Sequence, residues 1–94
     1  MEFEWDDTKN GANIRKHGVS FEIARRVFER PHLTRLDLRR DYGEDRYVSV
    51  GEVDGLAVVV VAHTRREGRI RLISARPASR RERQAWHEYL RETT

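Results

Sequence analysis

The middle of the chain, from residue 33 to residue 75, consists of apolar segments separated by turn residues, a pattern typical of a β-meander. Asp54-Gly55 is a strong two-residue hairpin signal, since both residues tolerate positive φ. The pattern predicts strands over Arg46–Val53, Leu56–Thr64 and Arg69–Ala75, with an edge strand over Leu33–Leu38. The centre of the protein is therefore expected to be a sheet.

Helical signals precede this sheet along the chain. Asp6 or Asp7 can N-cap a first helix that ends near His17, because a short acidic side chain accepts orphan backbone N–H bonds. Ser20 caps a second helix, in which apolar residues recur at three- and four-residue spacing until Pro31 ends it. Both helices are predicted to bury one face.

A last helix follows the sheet. Ser79 and Glu82 form a capping box, in which each side chain satisfies a backbone N–H near the other residue. A short strand over Phe3–Trp5 completes the elements. We therefore predict one α+β domain over residues 1–94, with the order β-α-α-β-β-β-α and an antiparallel sheet that carries its helices on one face.

Hairpin register assigns side chains to the two faces of the sheet. A two-residue loop at Asp54-Gly55 pairs Arg46 with His63, and a four-residue loop at Arg65–Gly68 pairs His63 with Ile70. This register predicts a core face of Val48, Val50, Val59, Val61, Ile70 and Leu72. The opposite face then carries Tyr47, Ser49, Val58, Val60, Thr64, Arg69 and Arg71. An arginine pair beside a tyrosine on an open sheet is a candidate phosphate-binding floor.

Charge is concentrated in one segment of a nearly neutral chain. The formal net charge is +3, but residues 63–83 contain eight arginines against Glu67 and Glu82. Arginine supplies 17 of the 19 basic residues, which favours bidentate recognition of phosphate. The block indicates an anionic partner, with nucleic acid as the first candidate, while a solvated basic face or an acidic protein partner also fits it.

Several classes of protein do not fit the sequence. The longest apolar run, Leu56–Ala62, is far shorter than the ~20 residues of a membrane span, and the acidic first residues do not resemble a secretory leader. The chain has no cysteine for a disulfide or a thiolate metal site. The adjacent carboxylates Asp6-Asp7 and Glu44-Asp45 diverge, so they cannot easily share an ion. We expect a cytoplasmic protein without a metal or cofactor.

Two long motifs stand in order along the chain. The first comprises Phe3-Glu-Trp-Asp, Lys9, Asn13 and Arg15–Phe21, and the second comprises Val61–Arg65, Arg69–Arg76 and Arg81–Arg83. Together they resemble the BrnT family, the ribonuclease toxins of bacterial type II toxin–antitoxin pairs. The resemblance implies a single toxin domain with a RelE-like fold, cleavage of RNA that inhibits translation, and neutralisation by a cognate BrnA-like antitoxin that binds DNA.

RNA can be cleaved without a metal when its own 2′-hydroxyl attacks the adjacent phosphate. This reaction needs a base, an acid and fixed positive charge for the phosphorane-like transition state. The candidate catalytic residues are Arg71, Arg76, His63, Lys16 and His17, and the candidate RNA-binding residues are Arg69, Tyr47, Arg46, Arg80, Arg81 and Arg83. The sequence does not identify the general base, and His63 and His17 each also fit a structural histidine. The alternative function is a non-catalytic module that binds nucleic acid or an antitoxin through the same arginines.

Overall fold

Across residues 1–55 and 57–93, the computed structural model contains five strands and three helices arranged around one sheet. The strands are β1 (Phe3–Glu4), β2 (Leu33–Leu36), β3 (Tyr47–Val53), β4 (Ala57–Arg66) and β5 (Arg69–Pro77). The helices are α1 (Asp7–His17), α2 (Phe21–Ala24), which continues as a 3-10 helix over Arg25–Glu29, and α3 (Arg80–Thr93). Leu56, the predicted first residue of its strand, lies outside the described residues, as does Thr94.

The sheet is mixed, whereas the sequence predicts an antiparallel one. Its strand order is β1-β5-β4-β3-β2, and β1 pairs parallel with β5, while the other neighbours are antiparallel. The cause is the path of the chain: α1 and α2 connect β1 to β2 at the opposite edge of the sheet, and the meander from β2 to β5 then runs back until β5 lies beside β1. The predicted edge strand is present as β2, although it ends at Leu36 rather than Leu38, so the full order is β-α-α-β-β-β-β-α, one strand more than the predicted order β-α-α-β-β-β-α includes.

The first hairpin is shifted by one residue from its predicted register. Tyr47, rather than Arg46, pairs with His63, and Val53 pairs with Ala57. The turn is therefore one residue longer than a two-residue loop. Because side chains alternate along a strand, a shift of one residue moves every β3 side chain to the other face. The predicted assignment of Tyr47 and Val48 to their faces is wrong for this reason.

The second hairpin is shifted by two residues, which leaves the faces unchanged. Arg66 pairs with Arg69 around a two-residue turn of Glu67 and Gly68, whose φ angles of 52° and 79° suit this turn. The predicted four-residue loop is therefore wrong. Ile70 nevertheless stays on the core face, so Arg71 lies on the opposite face as predicted. A bulge follows, since Ala62 pairs with Ser74 and His63 with Leu72.

Helices cover both faces of the sheet, whereas the sequence predicts them on one face. The first core packs α2 and its 3-10 extension on one face through Val19, Phe21, Ala24, Val27, Val53, Val59, Val61, Ile70, Leu72 and Ala75. The second core packs α3 on the other face through Val48, Val58, Val60, Ala78 and Trp86. The shift of β3 explains the difference, because it groups Val48 with Val58 and Val60 into an apolar patch that Trp86 covers.

Polar side chains hold α1 against the edge of β5. Asn13 is buried and its amide bonds both backbone groups of Ala75, with Nδ2 donating at 2.8 Å and Oδ1 accepting at 3.1 Å. Asp6 caps the start of α1, and Gly18 ends it at φ 73°, donating its N–H to Ile14. In the part of the chain that the structure describes, no helix is long and apolar enough to cross a bilayer.

Candidate active site

Arginines gather on the part of the second sheet face that α3 leaves open. Arg35, Arg39 and Arg76 surround a depression of about 70 Å³, and Ala62 and Ser74 are among the residues that line it. Arg71 lies further along β5 on the same face. We call Arg35, Arg39, Arg71 and Arg76 the basic face. The sequence indicates Arg71 and Arg76, whereas Arg35 and Arg39 belong to a segment without a recognisable motif.

Arg76 is held by a carboxylate of the capping box. Its Nη1 and Nη2 atoms donate to the two oxygens of Glu82 at 2.7 and 2.9 Å. Glu82 also accepts from the backbone N–H of Ser79, and its own N–H donates to the Ser79 hydroxyl, which confirms the predicted cap. The hydrogen bonds from Arg76 and Ser79 lower the pKa of Glu82 to about 2. Glu82 is therefore ionised near neutral pH and orients the guanidinium.

The other arginines of β5 also face carboxylates, although the sequence predicts an open floor. Arg71 donates to Glu4 at 2.7 Å, and Arg69 donates to Glu2 at 3.0 Å. These pairs follow from the parallel register that places Glu4 beside Arg71. The Arg71 pair is partly exposed, and such a pair contributes about 0–1 kcal/mol. Arg71 uses only its Nη1 atom in this pair, so its other N–H groups point to no carboxylate among the described residues and remain for a phosphate.

The loop after β2 fixes Arg39. Asp37 is buried and accepts from the Arg39 backbone N–H and from two guanidinium nitrogens, and the Tyr42 hydroxyl donates to it as well. These hydrogen bonds, chiefly those from Arg39, hold the pKa of Asp37 well below its usual value. Arg35 differs, because its side chain has no hydrogen bond or ion pair with any residue that the structure describes.

Lys16 and His17 lie beside the basic face. They stand at the end of α1 and line a second depression, of about 240 Å³, together with Lys9 and Ser74. Ser74 also lines the depression of Arg76, so the two depressions adjoin. The structure thus places Lys16 and His17 at a depression that adjoins the one lined by Arg76. On this helix face Asn13 is buried in structural hydrogen bonds, whereas Lys9 and Lys16 are exposed.

His63 and Tyr47 lie on the first face, away from these arginines. The two rings stack with centroids 5.8 Å apart, and His63 Nε2 is 2.7 Å from the hydroxyl of Ser49. Burial, together with the charges of His32 and Arg65, lowers the pKa of His63 to about 4. His63 is thus a neutral, buried imidazole near pH 7. The wrong register of β3 explains the misplacement of Tyr47 only. His63 already falls on the core side of β4 in the predicted register, and the structure keeps it there, apart from Arg71 and Arg76.

The remaining candidates are dispersed. Arg46 stacks its guanidinium on the Tyr42 ring at 4.2 Å, and its Nε atom is 3.9 Å from Glu44. Arg80 and Arg81 are exposed in the first turn of α3, and neither side chain has a bonding partner among the described residues. Arg83 donates to the carbonyl of Ala78 at 2.9 Å. None of these four arginines lines the depression of Arg76.

Metal-binding side chains do not converge in the described ranges 1–55 and 57–93. No group of three His, Cys, Asp or Glu side chains there has the proximity needed to hold an ion. The carboxylates at the basic face, Glu4, Asp37 and Glu82, each accept from a guanidinium. The groups that remain there are guanidinium N–H donors, which bind anions.

Comparisons with known proteins agree on one family. A family model described as the ribonuclease toxin BrnT of type II toxin–antitoxin systems matches residues 5–82. The chain is also similar to the crystal structure of the ribonuclease toxin BrnT from Brucella abortus, with 26% sequence identity and a TM-score of 0.65. That similarity covers 85% of this chain and 99% of the Brucella chain. No curated protein matches the sequence significantly.

Proposed function

The chain belongs to the BrnT family of ribonuclease toxins of type II toxin–antitoxin systems, and from this premise we propose that it cleaves RNA without a metal ion and thereby inhibits translation. A toxin of this kind has an antitoxin partner. The proposal includes a cognate BrnA-like antitoxin that binds DNA, a RelE-like classification of the fold, and action in the cytoplasm, where translation takes place.

The observation that supports this mechanism best is the basic face. Metal-free cleavage builds negative charge on a pentacoordinate phosphorus, and a fixed guanidinium stabilises that charge without reorganising. Arg39, Arg71 and Arg76 are each fixed by a carboxylate. Arg76 donates to Glu82 and Pro77, which leaves two of its five N–H groups, one on Nε and one on Nη2, for a phosphate.

Proton transfer falls to groups beside the basic face. Lys16 and His17 line the adjoining depression and carry titratable nitrogens. Histidine changes charge between about pH 5 and 8 and can serve as either base or acid. In the proposal His17 and Lys16 share these roles, Arg71 and Arg76 hold the scissile phosphate, and Glu82 positions Arg76. Arg69 then contributes to binding the RNA backbone.

Expression in a bacterial host tests the toxin function. We expect induction of this gene to arrest growth, and co-expression of the antitoxin gene to restore it. Arg66→Ala serves as a control variant, because Arg66 is exposed and lies outside the basic face; this variant should remain toxic. Growth that is indifferent to induction of soluble protein would contradict the proposal.

The arginine–carboxylate pairs favour one alternative, a non-catalytic module that docks nucleic acid or an acidic antitoxin segment. Such a module would bind RNA and leave it intact. Purified protein that retains RNA over hours without cleaving it would support this alternative over the ribonuclease.

The proposed chemistry also predicts the response to chelation. Because the basic face supplies the positive charge, cleavage of RNA by the purified protein should continue at an unchanged rate in excess EDTA. The rate is measured on one labelled RNA before and after chelation, with a magnesium-dependent nuclease as the control. Loss of cleavage in EDTA that magnesium restores would show that an ion supplies the charge instead.

A further inference from the structure

A second concave site lies on the opposite face of the sheet. It has a volume of about 270 Å³, and the residues that line it include Phe28, His32, Thr34, Tyr47, His63 and Arg65. We call it the histidine pocket. We propose that the histidine pocket is a nucleotide-binding subsite, in which one base of a single-stranded RNA packs against the aromatic rings and its phosphate binds Arg65. This inference rests on the proposed function, in that the ligand is part of an RNA substrate.

The aromatic wall of the pocket is already ordered. The Phe28 ring packs edge-on against His32 and His63, with centroids 5.2 and 5.0 Å apart, and Tyr47 stacks on His63. A set of rings that hold one another loses little conformational entropy when a ligand binds. Proteins bind single-stranded RNA by stacking unpaired bases on such rings.

The charge at the mouth of the pocket fits a phosphate. Arg65 is exposed, and its guanidinium has no carboxylate partner within the described residues. Its neighbours differ, because Arg66 pairs with Glu44 and Arg69 pairs with Glu2. No Asp or Glu is among the described residues that line the pocket. Arg65 is therefore available to an anion next to the rings.

The pocket also offers hydrogen-bonding groups for the edge of a base. The hydroxyls of Thr34 and Ser49 lie 2.7 Å apart, and Ser49 is 2.7 Å from His63 Nε2. His63 Nδ1 is buried and has no hydrogen-bond partner in the described structure. A buried polar atom without a partner is uncommon. Of these groups the Thr34 hydroxyl is exposed and lines the pocket, so a base edge can reach it, whereas His63 Nδ1 and the Ser49 hydroxyl lie behind the wall.

The size of the pocket limits the ligand. Small-molecule sites usually measure about 300–1,000 Å³, so a volume of about 270 Å³ accommodates one nucleotide at most. Arg65 lies at the end of β4, next to Thr64, which pairs with Arg71 of the basic face. A single strand that passes this end of the sheet could therefore contact both sites.

Binding of nucleotides to the full chain tests the inference without depending on cleavage. Amide resonances of Tyr47, His63 and Arg65 are followed by NMR during titration with each nucleoside 5′-monophosphate, with ribose 5-phosphate and with inorganic phosphate. We expect at least one nucleotide to shift these resonances at concentrations where inorganic phosphate does not. Arg65→Ala should weaken the binding roughly 10-fold or more, whereas the neighbouring variant Arg66→Ala should not change it.

A second pair of variants tests the rings. Tyr47→Ala should weaken nucleotide binding roughly 5- to 150-fold, and Tyr47→Phe, which keeps the ring, should retain it. If Tyr47→Ala fails to fold, the comparison of Arg65→Ala with Arg66→Ala still tests the inference.

The inference is overturned if no nucleotide shifts these resonances, or if Arg65→Ala binds nucleotides as tightly as the unchanged protein. It is equally overturned if Arg65→Ala releases the antitoxin while nucleotides do not bind, since the pocket then belongs to the protein partner. A chain that binds nucleotides here but cleaves no RNA would contradict the proposed function and leave the subsite standing.

Discussion

His63 is buried among aromatic rings, with 4% of its surface exposed, and this burial predicts an effect of pH on stability. Its pKa falls from 6.5 to about 4 on folding. Below pH 6.5 the unfolded chain binds a proton that the folded chain does not bind until about pH 4. The free energy of unfolding should therefore decrease as the pH falls through this window, by roughly 3 kcal/mol from this residue. Urea unfolding at several pH values measures it.

The variant His63→Gln isolates this residue from the other titrating groups. Glutamine can retain a hydrogen bond to Ser49 but does not titrate, so the decrease between pH 6.5 and 4 should become smaller. Glu82 acts in a lower range, because its pKa in the folded chain is about 2 and its stabilising effect is lost as the pH falls from 4.5 through that value. Equal pH dependence in His63→Gln and the unchanged protein would contradict the assignment.

At the scale of elements, α1 contains a position that can be improved. Gly11 lies in the middle of the helix, and a Cβ atom there would meet only the end of the Arg15 side chain, at 3.5 Å. Gly11→Ala should therefore raise the free energy of unfolding by about 0.5–1 kcal/mol, because alanine loses less backbone entropy in a helix. For a domain of this size 1 kcal/mol corresponds to about 4–8 °C in Tm, which thermal unfolding resolves.

The same substitution at the end of the helix is the matched control. Gly18 has φ 73°, a conformation that costs an L side chain about 1–2 kcal/mol. Gly18→Ala should therefore lower Tm while Gly11→Ala raises it. A decrease for both variants would mean that Gly11 is required for packing rather than tolerated.

Elements whose signals are local could be predicted from the sequence. The Ser20 cap and the pair of Ser79 and Glu82 each act within one helical turn, and the structure contains all three of their hydrogen bonds. The register of β3 could not be predicted, because one additional residue in a turn changes it without changing the apolar pattern. That single residue moved Tyr47 away from the arginines and created the apolar patch that binds α3.

At the scale of the whole molecule, the sequence shows where arginines are concentrated but not which of them pair with a carboxylate. Arg69 pairs with Glu2 and Arg71 with Glu4, each pair separated by 67 positions in the chain. These contacts depend on the parallel pairing of β1 with β5, which no local motif encodes. Arg35 and Arg39 were not predicted as site residues, because they lie near Arg76 only in the assembled sheet and no local motif marks them.

Arg71 is held by a carboxylate, whereas Arg80 and Arg81 are exposed and unpaired among the described residues, and this difference predicts two different phenotypes. Arg71 is fixed on the sheet beside the proposed phosphate position, so Arg71→Ala should reduce cleavage roughly 100- to 1000-fold, as the loss of a preorganised donor does. The protein should stay folded, because the partly exposed pair with Glu4 contributes little. Glu4→Gln removes the same ion pair but keeps Arg71, so it should retain toxicity.

Arg80 and Arg81 are exposed and lack a partner among the described residues, in a helical turn where the dipole disfavours positive charge. Their joint replacement by alanine should therefore weaken association with the anionic partner, RNA or antitoxin, and leave the turnover of saturating RNA almost unchanged. The loss of association should become smaller as the salt concentration rises, because exposed charges are screened.

Cleavage assays, circular dichroism and an antitoxin pull-down at two salt concentrations measure both sets of variants. If Arg71→Ala stays folded and fully toxic, the basic face does not bind the scissile phosphate. If Arg71→Ala and Glu4→Gln lose activity equally, Arg71 acts through its ion pair and has no direct part in the chemistry.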